Sequence, residues 1–96
     1  MKVSTWKGGT YGVRVGRGNA REFFKQSWTT IQVRINGSFS VFQLSPTFWG
    51  TCPEFRGGPL PDWFRNNGID KWPRGVPYAL ELAPLDCDRF ELSLCN

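Results

Sequence analysis

The stretch Thr29-Thr-Ile-Gln-Val-Arg-Ile-Asn-Gly-Ser-Phe-Ser-Val-Phe-Gln-Leu44 carries the clearest structural signal in the chain. Two alternating apolar runs flank Asn36-Gly37, a dipeptide typical of β-hairpin turns. A two-residue turn would set two of three apolar residues opposite serines, whereas a three-residue turn pairs Val33 with Phe39. Because a slip of one residue inverts the faces of a strand, we predict the three-residue turn, with Gly37 at positive φ.

Similar alternation, turn and capping patterns predict the remaining elements. A strand is expected over Tyr11–Val15, and a second hairpin over Tyr78–Leu94 with its turn at Pro84–Asp88. One short helix is expected to begin at an Asn19 N-cap, and another spans Pro61–Asn67. The expected fold is α+β, a single domain over residues 1–96 with a mainly antiparallel, curled sheet of about five strands and two short helices. An open barrel is one form that such a sheet can take.

The predicted core takes the apolar positions on the inner faces of these elements. At 40% hydrophobic and 21% charged residues, the chain is too apolar for a disordered segment. The expected core residues are Phe23 or Phe24, Trp49, Phe55, Trp63, Phe64, Leu80, Leu82, Phe90 and Leu92.

Charge is distributed unevenly along the chain. Residues 1–40 carry seven cations and one acid, a net charge of +6, whereas residues 41–96 carry five cations and seven acids, a net charge of −2. A basic half of this kind can attract phosphate backbones or acidic proteins, and an ordinary solvated surface is the alternative interpretation. No apolar run approaches the roughly 18 residues of a membrane span, so no membrane partner is expected.

The absence of histidine argues against most catalytic and metal-binding chemistry. Histidine is the commonest general base and metal ligand, and Cys52 has no histidine to activate it as a nucleophile. We therefore predict a protein that is not an enzyme, with no cofactor and no metal site. Met1 to Trp6 lacks an apolar signal region, which predicts a cytoplasmic protein with Cys52, Cys87 and Cys95 reduced. A Cys87–Cys95 bridge is the alternative.

The binding residues are predicted from arginines that lie close to aromatic residues in the basic half. A glycine-flanked loop, Val15–Arg21, leads into the first helix and exposes backbone N–H groups, which favour anions. Aromatic rings can stack on nucleobases while neighbouring arginines hold phosphates. The predicted nucleic-acid or anion site comprises Arg14, Arg17, Arg21, Arg34, Trp28 and Tyr11. Trp6 and Trp72, flanked by Lys7 and by Lys71 and Arg74, are further surface candidates.

The predicted function is thus a non-enzymatic binding module for nucleic acid or another polyanion. A protein-interaction module or homodimer that uses exposed aromatic residues is the alternative.

Three stretches together resemble the small proteins of unknown function that bacterial mobile elements carry, of the integron gene cassette or prophage type. They are Val15–Ala20, Phe48–Glu54 followed by Trp63, and Trp72–Pro77 leading into the terminal hairpin. The resemblance implies a small cytoplasmic accessory protein. That group shares no common activity, so the resemblance assigns no functional residue.

Overall fold

One mixed sheet of seven strands organises the chain in the computed structural model, which describes residues 1–95. The elements are β1 (Lys2–Gly8), β2 (Thr10–Arg14), α1 (Arg17–Phe23), β3 (Thr30–Ile35), β4 (Ser38–Gln43), β5 (Glu54–Arg56), α2 (Leu60–Asn66), β6 (Ala79–Pro84) and β7 (Arg89–Leu94). The strand order is β4-β3-β7-β6-β1-β2-β5, with β3 and β7 parallel and the other neighbours antiparallel. The edge strands β4 and β5 approach each other, so the sheet curls into a nearly closed barrel.

The α+β class and the two short helices are confirmed, but the expected number of about five strands is wrong. The two strands that the sequence pattern did not predict are β1 and β5. In β1 the inward positions are Val3 and Thr5, so a polar residue interrupts the apolar alternation. Strand β5 has three residues, which is too short to show a period of two.

The register of the central hairpin corrects the predicted three-residue turn. The structure pairs Ile35 with Ser38 across a two-residue turn, and Arg34, rather than Val33, lies opposite Phe39. Both turn residues have positive φ, 52° at Asn36 and 81° at Gly37, as a type I′ turn requires. This turn matches the twist of the strands, and that match outweighs the pairing of apolar side chains. The predicted positive φ of Gly37 is confirmed.

The start of the first helix also differs from the prediction. Helix α1 begins at Arg17 after Gly16, and no side chain caps its N-terminus. Asn19 instead uses its amide Nδ2 to donate hydrogen bonds to the carbonyl oxygens of Lys2, at 2.8 Å, and Val15, at 3.0 Å. It therefore fastens the helix to β1 rather than capping it.

The core fills the inside of the curled sheet and contains most of the predicted residues. Phe24, Phe55, Trp63, Phe64, Leu80, Leu82, Phe90 and Leu92 are buried, whereas Trp49 is only partly buried at the margin. Helix α2 contributes Leu60, Trp63 and Phe64 to this core and packs against β2. No helix within residues 1–95 is long and apolar enough to cross a membrane.

Candidate functional site

A groove of 480 Å³ opens between strands β1 and β2 and the segment 70–77 that follows α2. Three aromatic side chains and three cationic side chains line it, together with one carboxylate and small residues. The aromatic residues are Trp6, Tyr11 and Trp72, the cations are Lys7, Arg14 and Lys71, and the carboxylate is Asp70.

The pairing of β1 with β2 brings Ser4, Trp6 and Arg14 to one face of the sheet. Ser4 lies opposite Arg14, and Trp6 lies opposite Gly12. Gly8 and Gly12 together allow the indole to lie close to the strands, and a methyl group built on Gly8 would be 2.5 Å from Trp6 Cζ2. The second glycine, Gly12, faces both the indole and the neighbouring strand. A methyl group built on it would be 2.9 Å from Trp6 Cε3 and 2.6 Å from the Phe55 carbonyl oxygen. Arg56 on the next strand places its guanidinium 5.6 Å from the Trp6 ring centroid, which adds a cation–π contact.

Tyr11 joins the other wall of the groove to the sheet. Its hydroxyl donates a hydrogen bond to the Asp70 carbonyl oxygen at 2.9 Å. Its ring meets Phe64 of α2 at 5.5 Å between centroids, and meets Trp72 at 6.2 Å, both edge to face. Lys7 lies above the Tyr11 ring, with Nζ 5.2 Å from the centroid. Tyr11 therefore fixes the position of both Trp72 and Asp70.

A second set of hydrogen bonds holds the far end of the segment 70–77. The Thr5 N–H donates to the Tyr78 carbonyl oxygen at 2.9 Å, and the Tyr78 N–H donates to Thr5 Oγ1 at 3.0 Å. Between the two anchors, the Val76 N–H donates to the Pro73 carbonyl oxygen and closes a turn. The wall is thus hydrogen-bonded to the sheet at both ends.

The electrostatics of the groove favour an anion. None of Lys7, Arg14 and Lys71 forms an ion pair within residues 1–95. Two carboxylates moderate their charge, Asp70 in the lining and Glu54, which lies opposite Arg14 in the register of β2 and β5. Three exposed cations beside half-buried rings leave an open, net positive surface.

A second depression of 350 Å³ continues the groove along the sheet. The two share Ser4, Arg14 and Pro77, and the second extends to Lys2, Gly16 and Ala79. Arg14 therefore lies where the two depressions meet.

The structure brings two of the six predicted site residues, Tyr11 and Arg14, together in this groove. Arg17 and Arg21 instead border a separate depression of 150 Å³ beside Trp49. Arg17 Nε also donates a hydrogen bond to the Gly50 carbonyl oxygen at 3.1 Å, which ties α1 to the loop after β4.

The remaining two predicted residues lie outside the groove and have structural partners. Arg34 Nε is 2.9 Å from Glu91 Oε2 on the neighbouring strand. This hydrogen bond lowers the pKa of Glu91 and raises that of Arg34. The guanidinium of Arg34 thus has a carboxylate partner within the fold. Trp28 is partly buried and packs edge to face on Phe24 and Phe90.

From the sequence, four of the groove residues stand out only as two tryptophans that are each next to a lysine. Trp6-Lys7 and Lys71-Trp72 are separated by more than sixty residues, yet they line the same groove. No local pattern could have joined them, because their proximity depends on the pairing of β1 with β6 and on the Tyr11–Asp70 hydrogen bond. No pattern in the sequence indicated that Asp70 would lie in the groove.

The cysteines are free, as predicted, and no Cys87–Cys95 bridge is formed. Cys52 is half-buried, and Thr51 Oγ1 donates a hydrogen bond to its sulfur at 3.7 Å. Within residues 1–95 no group of three or more cysteine, aspartate or glutamate side chains lies close enough together to hold a metal ion.

Comparisons of this chain with protein-family models, with curated proteins and with solved structures find no match. The resemblance to proteins of bacterial mobile elements stays a prediction.

Proposed function

We propose that this protein is a non-enzymatic module that binds nucleic acid through the groove between β1, β2 and the segment 70–77. The observation that carries the proposal is one open groove lined by three aromatic side chains and by three cations that form no ion pair within residues 1–95. This combination suits a ligand that presents both phosphates and flat rings, as nucleotides do.

The cations supply an attraction that depends on salt. Each phosphate neutralised on a single strand contributes about −0.7 to the slope of log K against log salt concentration. Contacts from Lys7, Arg14 and Lys71 therefore predict a slope of about −2. The rings add an attraction that salt screens little, since stacking of a base on an aromatic side chain contributes about 1–3 kcal/mol.

Removal of Lys7 and Lys71 tests the proposal. Lys7→Ala/Lys71→Ala is expected to weaken binding of a fluorescent oligonucleotide at least about tenfold at low salt and to flatten the salt slope by about one or more. The matched control is Arg21→Ala/Lys25→Ala, which removes the same charge from exposed positions outside the groove. Fluorescence anisotropy at two or more salt concentrations measures both.

Equal losses for the two double variants would mean that only net charge matters and would refute a site in the groove. Undetectable binding of the unaltered protein to DNA and RNA at low salt, with micromolar protein, would refute the proposed function altogether.

A second candidate function, self-association, rests on the edge strand β4. The strand Ser38–Gln43 contains no charged residue and no proline. Phe39 and Val41 on its outer face are 41% and 67% exposed. Because the free edge of β4 lies near β5, two copies would associate through this outer face, where Phe39 and Val41 present apolar surface.

The substitution Val41→Lys tests this second candidate. It puts two lysines into the seam of the proposed homodimer, and we expect it to convert a dimer into a monomer without loss of the fold. Light scattering after size exclusion gives the mass, and circular dichroism checks the fold. A monomeric mass for the unaltered protein at about 100 μM would rule the homodimer out as a stable species.

A further inference from the structure

We propose that the groove takes an unpaired strand of about two nucleotides, with one base beside Trp6 and Trp72, the linking phosphate at Arg14, and the next nucleotide in the second depression. This inference rests on the proposed function and specifies its ligand. The shape of the groove and the position of Arg14 carry it.

The recessed position of the rings selects for an unpaired base. Trp6, Tyr11 and Trp72 are half-buried, and the segment 70–77 forms a wall beside them. In a duplex the faces of the bases are covered by their neighbours, so only the phosphates and the base edges remain accessible. An unpaired base can leave the strand and stack on a recessed ring. A duplex would contact the cations alone and lose the aromatic contribution.

The two depressions fix the length of strand and the position of the phosphate. Their volumes, 480 and 350 Å³, each lie within the range of about 300–1,000 Å³ typical of small-ligand sites. Each can therefore hold about one nucleotide. The side chains that they share include Arg14 and Ser4, which lie directly opposite each other on β1 and β2. A guanidinium beside a hydroxyl can donate several hydrogen bonds to one phosphate.

The proposal is tested by comparing three probes at one salt concentration. The probes are a single-stranded oligothymidylate of twelve nucleotides, a twelve-base-pair duplex, and heparin, a polyanion without bases. We expect the single strand to bind at least about tenfold more tightly than the duplex, since stacking on one ring alone is worth about that factor. The single strand is also expected to quench tryptophan fluorescence, which heparin should not do.

Two variants separate stacking from charge. Trp72→Ala is expected to lower the affinity for the single strand at least about fivefold and to leave heparin binding within about twofold of the unaltered protein. Because Trp72 packs on Tyr11, its loss can loosen the wall, so Arg14→Ala, at an exposed position, is the second variant. It is expected to weaken binding of the dinucleotide TpT, which has one phosphate, but to leave binding of the nucleoside thymidine unchanged.

Equal or tighter binding of the duplex would overturn this inference and leave the proposed function standing. An unaltered affinity for the single strand in both variants would overturn this inference and would also contradict binding in the groove. Failure of the unaltered protein to bind single strand, duplex or heparin would overturn both.

Discussion

A protein that carries Phe90→Ala is expected to lose about 3–5 kcal/mol of its free energy of unfolding, the range for truncation of a buried phenylalanine. Phe90 lies at the start of β7, is 1% exposed and packs between elements from different parts of the chain. Its ring stacks on Phe24 with centroids 4.8 Å apart and meets the edge of Trp28 at 6.2 Å. The substitution therefore removes buried area and leaves a cavity beside the rings of Phe24 and Trp28, which follow α1.

Denaturant unfolding followed by circular dichroism measures this loss. The control is Phe39→Ala, which truncates the same side chain at a position 41% exposed on β4. We expect the control to lose less than about 1 kcal/mol, because much of the ring already contacts water. A loss of less than about 1 kcal/mol for Phe90→Ala would mean that Phe90 is not part of a packed core.

The second large effect is expected at Gly12, where the fold and the groove depend on the same residue. A methyl group there would lie 2.6 Å from the Phe55 carbonyl oxygen and 2.9 Å from both Trp6 Cε3 and Arg56 Cβ. The backbone oxygen is held in the pairing of β2 with β5, so relief requires the strands to separate. We expect Gly12→Ala to destabilise the protein by about 1–3 kcal/mol, the usual cost of overpacking, and to displace Trp6.

Gly18→Ala provides the matched control, because a methyl group on Gly18 meets nothing within 4 Å. Gly18 lies in α1, where alanine is favoured over glycine by about 1 kcal/mol, so the control is expected to be neutral or stabilising. Thermal melting compares the two variants, and tryptophan fluorescence reports on Trp6. Equal stability of the two variants would contradict the close contact between Trp6 and the sheet.

The parts of the fold that follow from local pattern were predicted, and those that depend on distant pairing were not. Leu80 and Leu82 are two residues apart with Glu81 between them, and this spacing identified both as buried positions, because a strand has a period of two residues. The register of the central hairpin was wrong, since the preference of Asn36-Gly37 for a type I′ turn outweighs the matching of apolar faces. Phe39 and Val41 consequently lie on the outer face rather than in the core.

In the candidate site, too, contacts between residues that are distant in sequence could not be predicted from local patterns. Tyr11 and Arg14 lie three residues apart on β2, so the sequence placed them on the same strand, but the period of two residues gave no reason for both to line one groove. Trp72 reaches them only because α2 and Gly68 reverse the chain and Tyr11 bonds to the Asp70 carbonyl. Arg34 was predicted to be available for phosphates because it alternates with apolar residues, but the sequence did not reveal that Glu91 would lie beside it on a parallel strand.

Photochemical crosslinking tests most directly whether the groove holds an unpaired strand. A single-stranded oligonucleotide with 5-iodouracil in place of thymine is irradiated with the protein, and tryptic peptides that carry nucleotide mass are identified by mass spectrometry. We expect crosslinks in three peptides that contain the groove aromatics, Val3–Lys7, Gly8–Arg14 and Trp72–Arg74. Crosslinks confined to Gln26–Arg34, which contains Trp28, or to Ile35–Arg56, which contains Phe39 and Trp49, would place the strand elsewhere and contradict the account.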